Sequence, residues 1–153
     1  MELRQCQKAP DFELNDSEGN KVKLSGFKGK RVVLYFYPKD DTPGCTIQAR
    51  QFTKNNPKLK KLKAVVLGVS PDGMESHEKF IRKYAINYTL LCDEDSKVAK
   101  KYGAFGEKSF MGRKFMGVIR STFIIDGKGI IEKAFYKVNP LKSISEVLDF
   151  LEE

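Results

Sequence analysis

Val32-Val33-Leu34-Tyr35-Phe36-Tyr37-Pro38-Lys39-Asp40-Asp41-Thr42-Pro43-Gly44-Cys45-Thr46 is the stretch on which the reading of this chain turns. Its first six residues are an unbroken apolar run of strand length and predict a buried strand, which Pro38 ends. Asp40-Asp41 is turn-prone, and Thr42-Pro43-Gly44 reads as a helix N-cap with a proline just inside it. Cys45 then falls in the first turn of a helix, where backbone N–H groups lack intrahelical partners and favour negative charge. The thiolate, not the thiol, attacks electrophiles. The stretch therefore predicts a reactive cysteine at a strand-to-helix junction.

Outward from this junction the pattern alternates. Upstream, short strand signals at 12–14 and 22–24 flank Asp16-Ser17-Glu18-Gly19-Asn20, a hairpin turn. Downstream, a helix over 44–55 precedes a strand at 64–70, a helix over 74–84 precedes a strand at 88–92, and a short helix covers 96–102. Residues 105–117 read as a glycine- and aromatic-rich loop, either a hydrophobic wall for an organic substrate or partner, or ordinary packing under a loop. Strands at 121–126 and 130–136 flank the Asp126-Gly127-Lys128-Gly129 turn, and a last helix covers 140–151. Alternating strands and helices imply an α/β fold with a central mixed sheet, mainly parallel with an antiparallel part from the late hairpin, and helices on both faces. With no repeat or linker in the pattern, 1–153 reads as one domain. In open α/β sheets ligand sites lie beyond the carboxyl ends of strands, which places the 38–45 segment and Cys92 on one edge.

Composition excludes several classes. At 153 residues with 41% apolar and 31% charged residues, the chain can bury a real core and is not disordered. The longest apolar stretch is far short of a membrane span. Glu2, Arg4, Lys8 and Asp11 break any signal-peptide core in the first fourteen residues, so a cytoplasmic location is expected, with no membrane partner. Three widely spaced cysteines, Cys6, Cys45 and Cys92, are no disulfide framework, and His77 alone makes a metal site unexpected. His77, between Ser76 and Glu78, reads as a solvent-facing residue of its helix. The net charge of +8 is spread along the chain apart from the run at 54–63. That run reads as the solvated face of a helix end, and no nucleic-acid partner is expected.

The spacing P-x-x-x-T-x-x-C formed by Pro38, Thr42 and Cys45, with Arg120 in Arg-Ser-Thr-Phe-Ile-Ile-Asp, resembles the peroxiredoxins, and within them the bacterioferritin comigratory protein, or Q, subfamily. Ala9-Pro10-Asp11-Phe12, Gly68-Val69-Ser70, Lys97-Val98-Ala99, Tyr102-Gly103 and Gly106-Glu107-Lys108 extend the likeness over nearly the whole chain. The resemblance implies a thioredoxin-like fold with an N-terminal β-hairpin. It also implies cofactor-free reduction of hydrogen peroxide and organic hydroperoxides by a Cys45 thiolate that becomes a sulfenic acid. Thioredoxin or another thiol then restores it, and the subfamily's habit implies a monomer or weak dimer. Many members carry a resolving cysteine five residues after the reactive one; here that residue is Arg50, so that short-range disulfide cannot form.

Roles follow from these identities. A free thiol is only a few per cent thiolate at neutral pH, and making it mostly thiolate takes about 3.4 kcal/mol of differential stabilisation. A helix terminus supplies about 0.3–1 kcal/mol and at best ~2, so a cation must contribute, and the resemblance designates Arg120. Thr42 is expected to give its hydroxyl to the peroxide as well as, or instead of, capping the helix. Pro38 is expected to shield the pocket without an N–H to compete, although a plain strand terminator would look the same. Cys92 reads either as a resolving thiol or as a buried small residue at a strand end, and Cys6 as part of a mobile N-terminus. A one-cysteine cycle is the expected outcome. Two other functions compete: a disulfide reductase, which the Ile47-Gln48 pair after Thr46 disfavours for want of a second cysteine, and a redox-sensing or holdase-type interaction protein switched by Cys45 oxidation.

Overall fold

A computed structural model describes residues 2–153. The chain runs β1 (Glu13–Asp16), β2 (Lys21–Lys23), a 3-10 turn (Leu24–Phe27), β3 (Arg31–Phe36), α1 (Pro43–Lys61), β4 (Ala64–Ser70), α2 (Met74–Tyr84) and β5 (Thr89–Cys92). It continues through α3 (Lys97–Lys101), β6 (Phe105–Phe110), β7 (Arg113–Val118), β8 (Ser121–Ile125), β9 (Ile131–Phe135) and α4 (Ser143–Leu151). Seven strands form one sheet in the order β2-β1-β5-β4-β3-β8-β9. Only the β3–β4 and β4–β5 pairs are parallel. The flanking pairs are antiparallel, so the sheet is mixed as expected, with the parallel pairing confined to its three central strands. Parallel neighbours need a crossover, which α1 and α2 supply; the two hairpins at the flanks have none and can only pair antiparallel.

Period-two alternation in β3 divides the core. Val32, Leu34 and Phe36 face a layer containing Phe12, Leu24, Val98, Ala99 and Tyr102. Val33, Tyr35 and Tyr37 face the other layer, built from Cys45, Ala49 and Phe52 of α1, Phe80 of α2, and Ile144 and Val147 of α4. Because both faces are covered, β3 reads as a continuous apolar run. Tyr35 stacks on Phe52 with ring centroids 4.8 Å apart. Gly68 in β4 makes room for that ring: a Cβ there would sit 2.7 Å from Leu90 Cδ2 and 3.0 Å from Tyr35 Cζ.

Helix α1 does not stop at 55. It continues through Pro57 to Lys61 and carries the basic run on its exposed side. A proline inside a helix removes one N–H and leaves the carbonyl four residues back, here Thr53 O, without its donor. Asn87, before β5, fills that gap: its Nδ2 donates to Thr53 O at 3.1 Å. The same residue accepts Asn56 Nδ2 on both its backbone and side-chain oxygens. Asn87→Ala is expected to lower unfolding free energy by about 1 kcal/mol, measured by urea titration. An unchanged midpoint would mean water serves Thr53 O equally well.

The segment read as a loop over 105–117 is instead the hairpin β6–β7, a two-stranded ribbon with six paired positions from Phe105–Val118 to Phe110–Arg113. Met111 and Gly112 turn it with positive φ at both residues, 52° and 80°. Phe110, Met111, Phe115 and Met116 are exposed on it, which is not ordinary packing under a loop.

Candidate active site

The three parallel strands end at one edge with Phe36, Ser70 and Cys92. β8 runs the other way, pairing Ser121 with Phe36, so the residue before it, Arg120, arrives at the same edge. This is why a side chain 75 positions away in sequence reaches Cys45.

Thr42 is the N-cap of α1, in extended conformation, with Pro43 beginning the helix and Cys45 in its first turn. Cys45 is buried, 1% exposed. Arg120 spans two acceptors: Nη2 donates to Cys45 Sγ at 3.3 Å and Nη1 to Gln48 Oε1 at 2.6 Å. Gln48 Nε2 in turn donates to Ser143 Oγ of α4 at 3.0 Å, so the guanidinium is braced from the second turn of α1 and from α4. The close approach needs Gly44: a Cβ at that position would lie 3.2 Å from Arg120 Nη2 and 3.3 Å from Pro140 Cγ. A full positive charge at 3.3 Å in an effective dielectric of about 20 is worth about 5 kcal/mol before desolvation.

The Thr42 hydroxyl does not cap the helix. It donates to Lys39 O at 2.9 Å, leaving its oxygen free to accept. Pro38 is half-buried, between the end of β3 and this turn. Lys108 of β6 also belongs to the neighbourhood. Burial and the nearby Arg120 charge lower its pKa, the Cys45 charge partly opposing them, and its Nζ donates to Val118 O at 2.8 Å.

The turn between Pro38 and Thr42 is held by α2. Asp41 takes a left-handed conformation, φ 57°. Its carboxylate accepts Lys83 Nζ at 2.8 Å and Tyr84 Oη at 2.7 Å, which pulls its pKa below the usual carboxylate value. Asp40 is buried and accepts Tyr37 Oη at 2.6 Å, Ser76 Oγ at 2.8 Å and His77 Nδ1 at 2.7 Å. The expectation for His77 was therefore wrong: it is fully buried, not solvent-facing. Its second nitrogen, Nε2, lies 2.8 Å from Leu91 O.

The other cysteines lie apart. Cys92 is buried at the end of β5, two strands from β3 and paired in register with Ser70 and Asn15. Two strand spacings are about 10 Å, beyond the roughly 7 Å between Cα atoms that a disulfide spans. Burial, then the charges of Glu94, Asp40, Asp16 and Asp72, pushes the Cys92 thiol up to about 11, so it is a neutral thiol at physiological pH. Cys6 is exposed, but its segment is tied down rather than mobile. Its N–H donates to Ile131 O at 2.8 Å, and Ala9 N–H to Gly129 O at 2.9 Å. Ile131 pairs with Ile125, which pairs with Val32, so Cys6 sits at the opposite end of the sheet from Cys45. Arg50, where many of the subfamily carry their resolving cysteine, is exposed on α1.

Sequence reasoning missed Gln48, Ser143, Lys108 and the Asp40–His77 pair. Gln48 was within reach, because it stands three residues after Cys45 and so shares its helix face. Lys108 and Ser143 come from distant elements that only the tertiary fold brings to this edge.

The sequence and the fold have counterparts among known proteins. Residues 6–134 match the AhpC/TSA family. Peroxiredoxin Bcp of Bacillus subtilis is 44% identical over 153 residues, covering 100% of this chain and 98% of that protein. A mutant form of PrxQ from Xylella fastidiosa superposes with a TM-score of 0.93 at 30% identity, covering 99% of this chain and 97% of that one. A yeast mitochondrial 1-Cys peroxiredoxin, described with glutathione and thioredoxin systems, superposes at 0.81 with 27% identity, covering 98% of this chain and 75% of that one. The matched span takes in both the strand-to-helix junction and the strand that delivers the guanidinium to it. The chain thus belongs to the AhpC/TSA family as a peroxiredoxin of the Bcp, or Q, kind, a thiol-dependent peroxidase that consumes a peroxide at the expense of a thiol.

Proposed function

We propose that Cys45 is the sulfur that takes the peroxide oxygen, that Arg120, Thr42 and Pro38 complete its pocket, and that the cycle uses this one cysteine. The thiolate attacks the terminal oxygen of R–O–O–H; the S–O bond forms as the O–O bond breaks. Sulfur is oxidised by two electrons to S–OH, and the departing RO⁻ takes a proton and leaves as alcohol or water. Arg120 stabilises the thiolate and, through the same fork, the negative charge passing to the leaving oxygen. The Thr42 oxygen, its proton committed to Lys39 O, accepts the hydroperoxide O–H and orients it; rotation of the hydroxyl makes it a donor to the developing charge. Pro38 covers the site without adding a competing N–H. The observation that carries this reading is the contact of Arg120 Nη2 with Cys45 Sγ at 3.3 Å.

The sulfenic acid is reduced by an external thiol, thioredoxin or a small one. The strand spacing and raised pKa of Cys92, and the far-end position of Cys6, speak against an internal partner. The 1-Cys neighbour gives the cycle a precedent on the same fold. The chain acts as one thioredoxin-like domain, as a monomer or weak dimer, and its odd, widely spaced cysteines suit the cytoplasm. No helix among the described residues is long and apolar enough to cross a membrane.

Intact-protein mass spectrometry after one equivalent of peroxide, with and without a sulfenic-acid trap, tests the assignment. One added oxygen, trapped on the peptide containing Cys45, is expected. Cys92→Ser is expected to keep the same product and at least about half of the wild-type turnover, since replacing a buried thiol that stands outside the cycle by a near-isosteric hydroxyl costs stability rather than rate. Loss of an oxidised, faster-migrating monomer in that variant would instead make Cys92 the resolving residue.

A further inference from the structure

We infer that His77 is a positioning residue for peroxide reduction: held as an imidazolium, it clamps the Pro38–Thr42 turn through Asp40. The basis is the pairing of both ring nitrogens. Nδ1 meets the Asp40 carboxylate at 2.7 Å and Nε2 meets the Leu91 carbonyl at 2.8 Å. Neither partner is a donor, so both contacts are hydrogen bonds only if both nitrogens carry protons. The ring is fully buried, and water cannot supply the missing partner for a neutral tautomer. Burial opposes the charged ring, but Asp40, Leu91 O and the nearby Asp72 outweigh it, and the pKa of His77 is raised.

The surroundings fit a clamp. Asp40 also accepts Tyr37 Oη and Ser76 Oγ, while its own N–H donates to Asp72 Oδ2 at 2.8 Å. Asp72 Oδ2 is further engaged by Ser70 Oγ at 2.7 Å. Asp40, Asp72 and His77 have the spacing of metal ligands, yet both ring nitrogens of His77 are already engaged, by Asp40 Oδ2 and Leu91 O, which leaves the imidazole no lone pair for an ion. The ring thus ties α2 and the end of β5 to a residue lying between Pro38 and Thr42, in the turn whose Lys39 carbonyl orients the Thr42 hydroxyl. Displacement of a reacting group by about 1 Å can cost ~10²-fold in rate. The inference rests on that turn being part of the peroxide site.

His77 is the only histidine in the chain, which makes a direct test simple. In ¹⁵N NMR of the reduced protein at pH 7.0, where a free imidazole is mostly neutral, both ring nitrogens are expected to show protonated shifts. A single non-protonated nitrogen would overturn the inference, and this measurement involves no peroxide, so it is separate from the assignment of Cys45. Kinetics then separate positioning from mere packing. Asparagine places its Nδ2 where Nδ1 stands and keeps the Asp40 bond; glutamine places its Nε2 at the Leu91 bond and loses Asp40. His77→Gln is expected to slow the second-order reaction of Cys45 with hydrogen peroxide at least tenfold, and His77→Asn less than threefold, at similar melting temperatures. Equal rates in the two variants would overturn the clamp through Asp40. If either variant fails to fold, Asp40→Asn is read by the same NMR experiment, and loss of one ring proton is expected.

Discussion

Cys45→Ser is expected to abolish peroxide consumption. With excess thioredoxin, thioredoxin reductase and NADPH, turnover should fall by at least about 10³-fold, to the uncatalysed level, because a nucleophile that forms a covalent intermediate has no substitute. A serine hydroxyl stays protonated at neutral pH, and its oxygen cannot be oxidised to a counterpart of the sulfenic acid. The substitution should not unfold the protein. The site is 1% exposed, but the hydroxyl inherits Arg120 Nη2 as a donor, so a stability change of about 1 kcal/mol is expected. Turnover in a folded Cys45→Ser protein would falsify the assignment. The same assay judges the sensor reading: catalytic cycling in the wild type belongs to an enzyme, and one stoichiometric oxidation to a switch. The family to which the chain belongs favours the enzyme.

The parts of this site legible in the sequence are those set by local rules. The apolar run, the proline that ends it and the cap residues place Cys45 at a helix start without knowledge of any other element, and α1 begins at Pro43 as they require. Arg120 was invisible to such rules. It reaches Cys45 only because β8 is antiparallel to β3, and strand pairing is a long-range outcome; the family likeness supplied it instead. His77 was misread from its charged neighbours, although Phe80, Ile81 and Tyr84 stand three, four and seven residues after it, the spacing of one buried stripe. The β6–β7 ribbon gave no period to read. Residues on both of its faces are exposed, so apolar and polar residues need not alternate, and Met111-Gly112 is a weaker turn signal than Asn-Gly.

Arg120→Met should cost about 10²–10³-fold in the second-order rate constant for peroxide, about 2.7–4 kcal/mol, the usual effect of removing one preorganised donor from a developing oxyanion. Two losses combine. Thiolate and transition state both lose the positive charge beside Cys45 Sγ, and Gln48 Oε1 loses its 2.6 Å donor. Gln48 keeps Ser143, so the fold should survive with a penalty of about 1–3 kcal/mol. Arg120→Lys is the informative companion. Lysine restores the charge but is a single point that cannot hold Cys45 Sγ and Gln48 Oε1 together. If charge alone matters, lysine should recover nearly the full rate. If the braced fork matters, as the approach over Gly44 suggests, lysine should remain about tenfold slow. Rapid-quench alkylation followed by mass spectrometry reads these rates without a tryptophan signal, which this chain lacks. A methionine variant within threefold of wild type would remove Arg120 from the site and leave the helix terminus, worth at most ~2 kcal/mol, to hold the thiolate unaided.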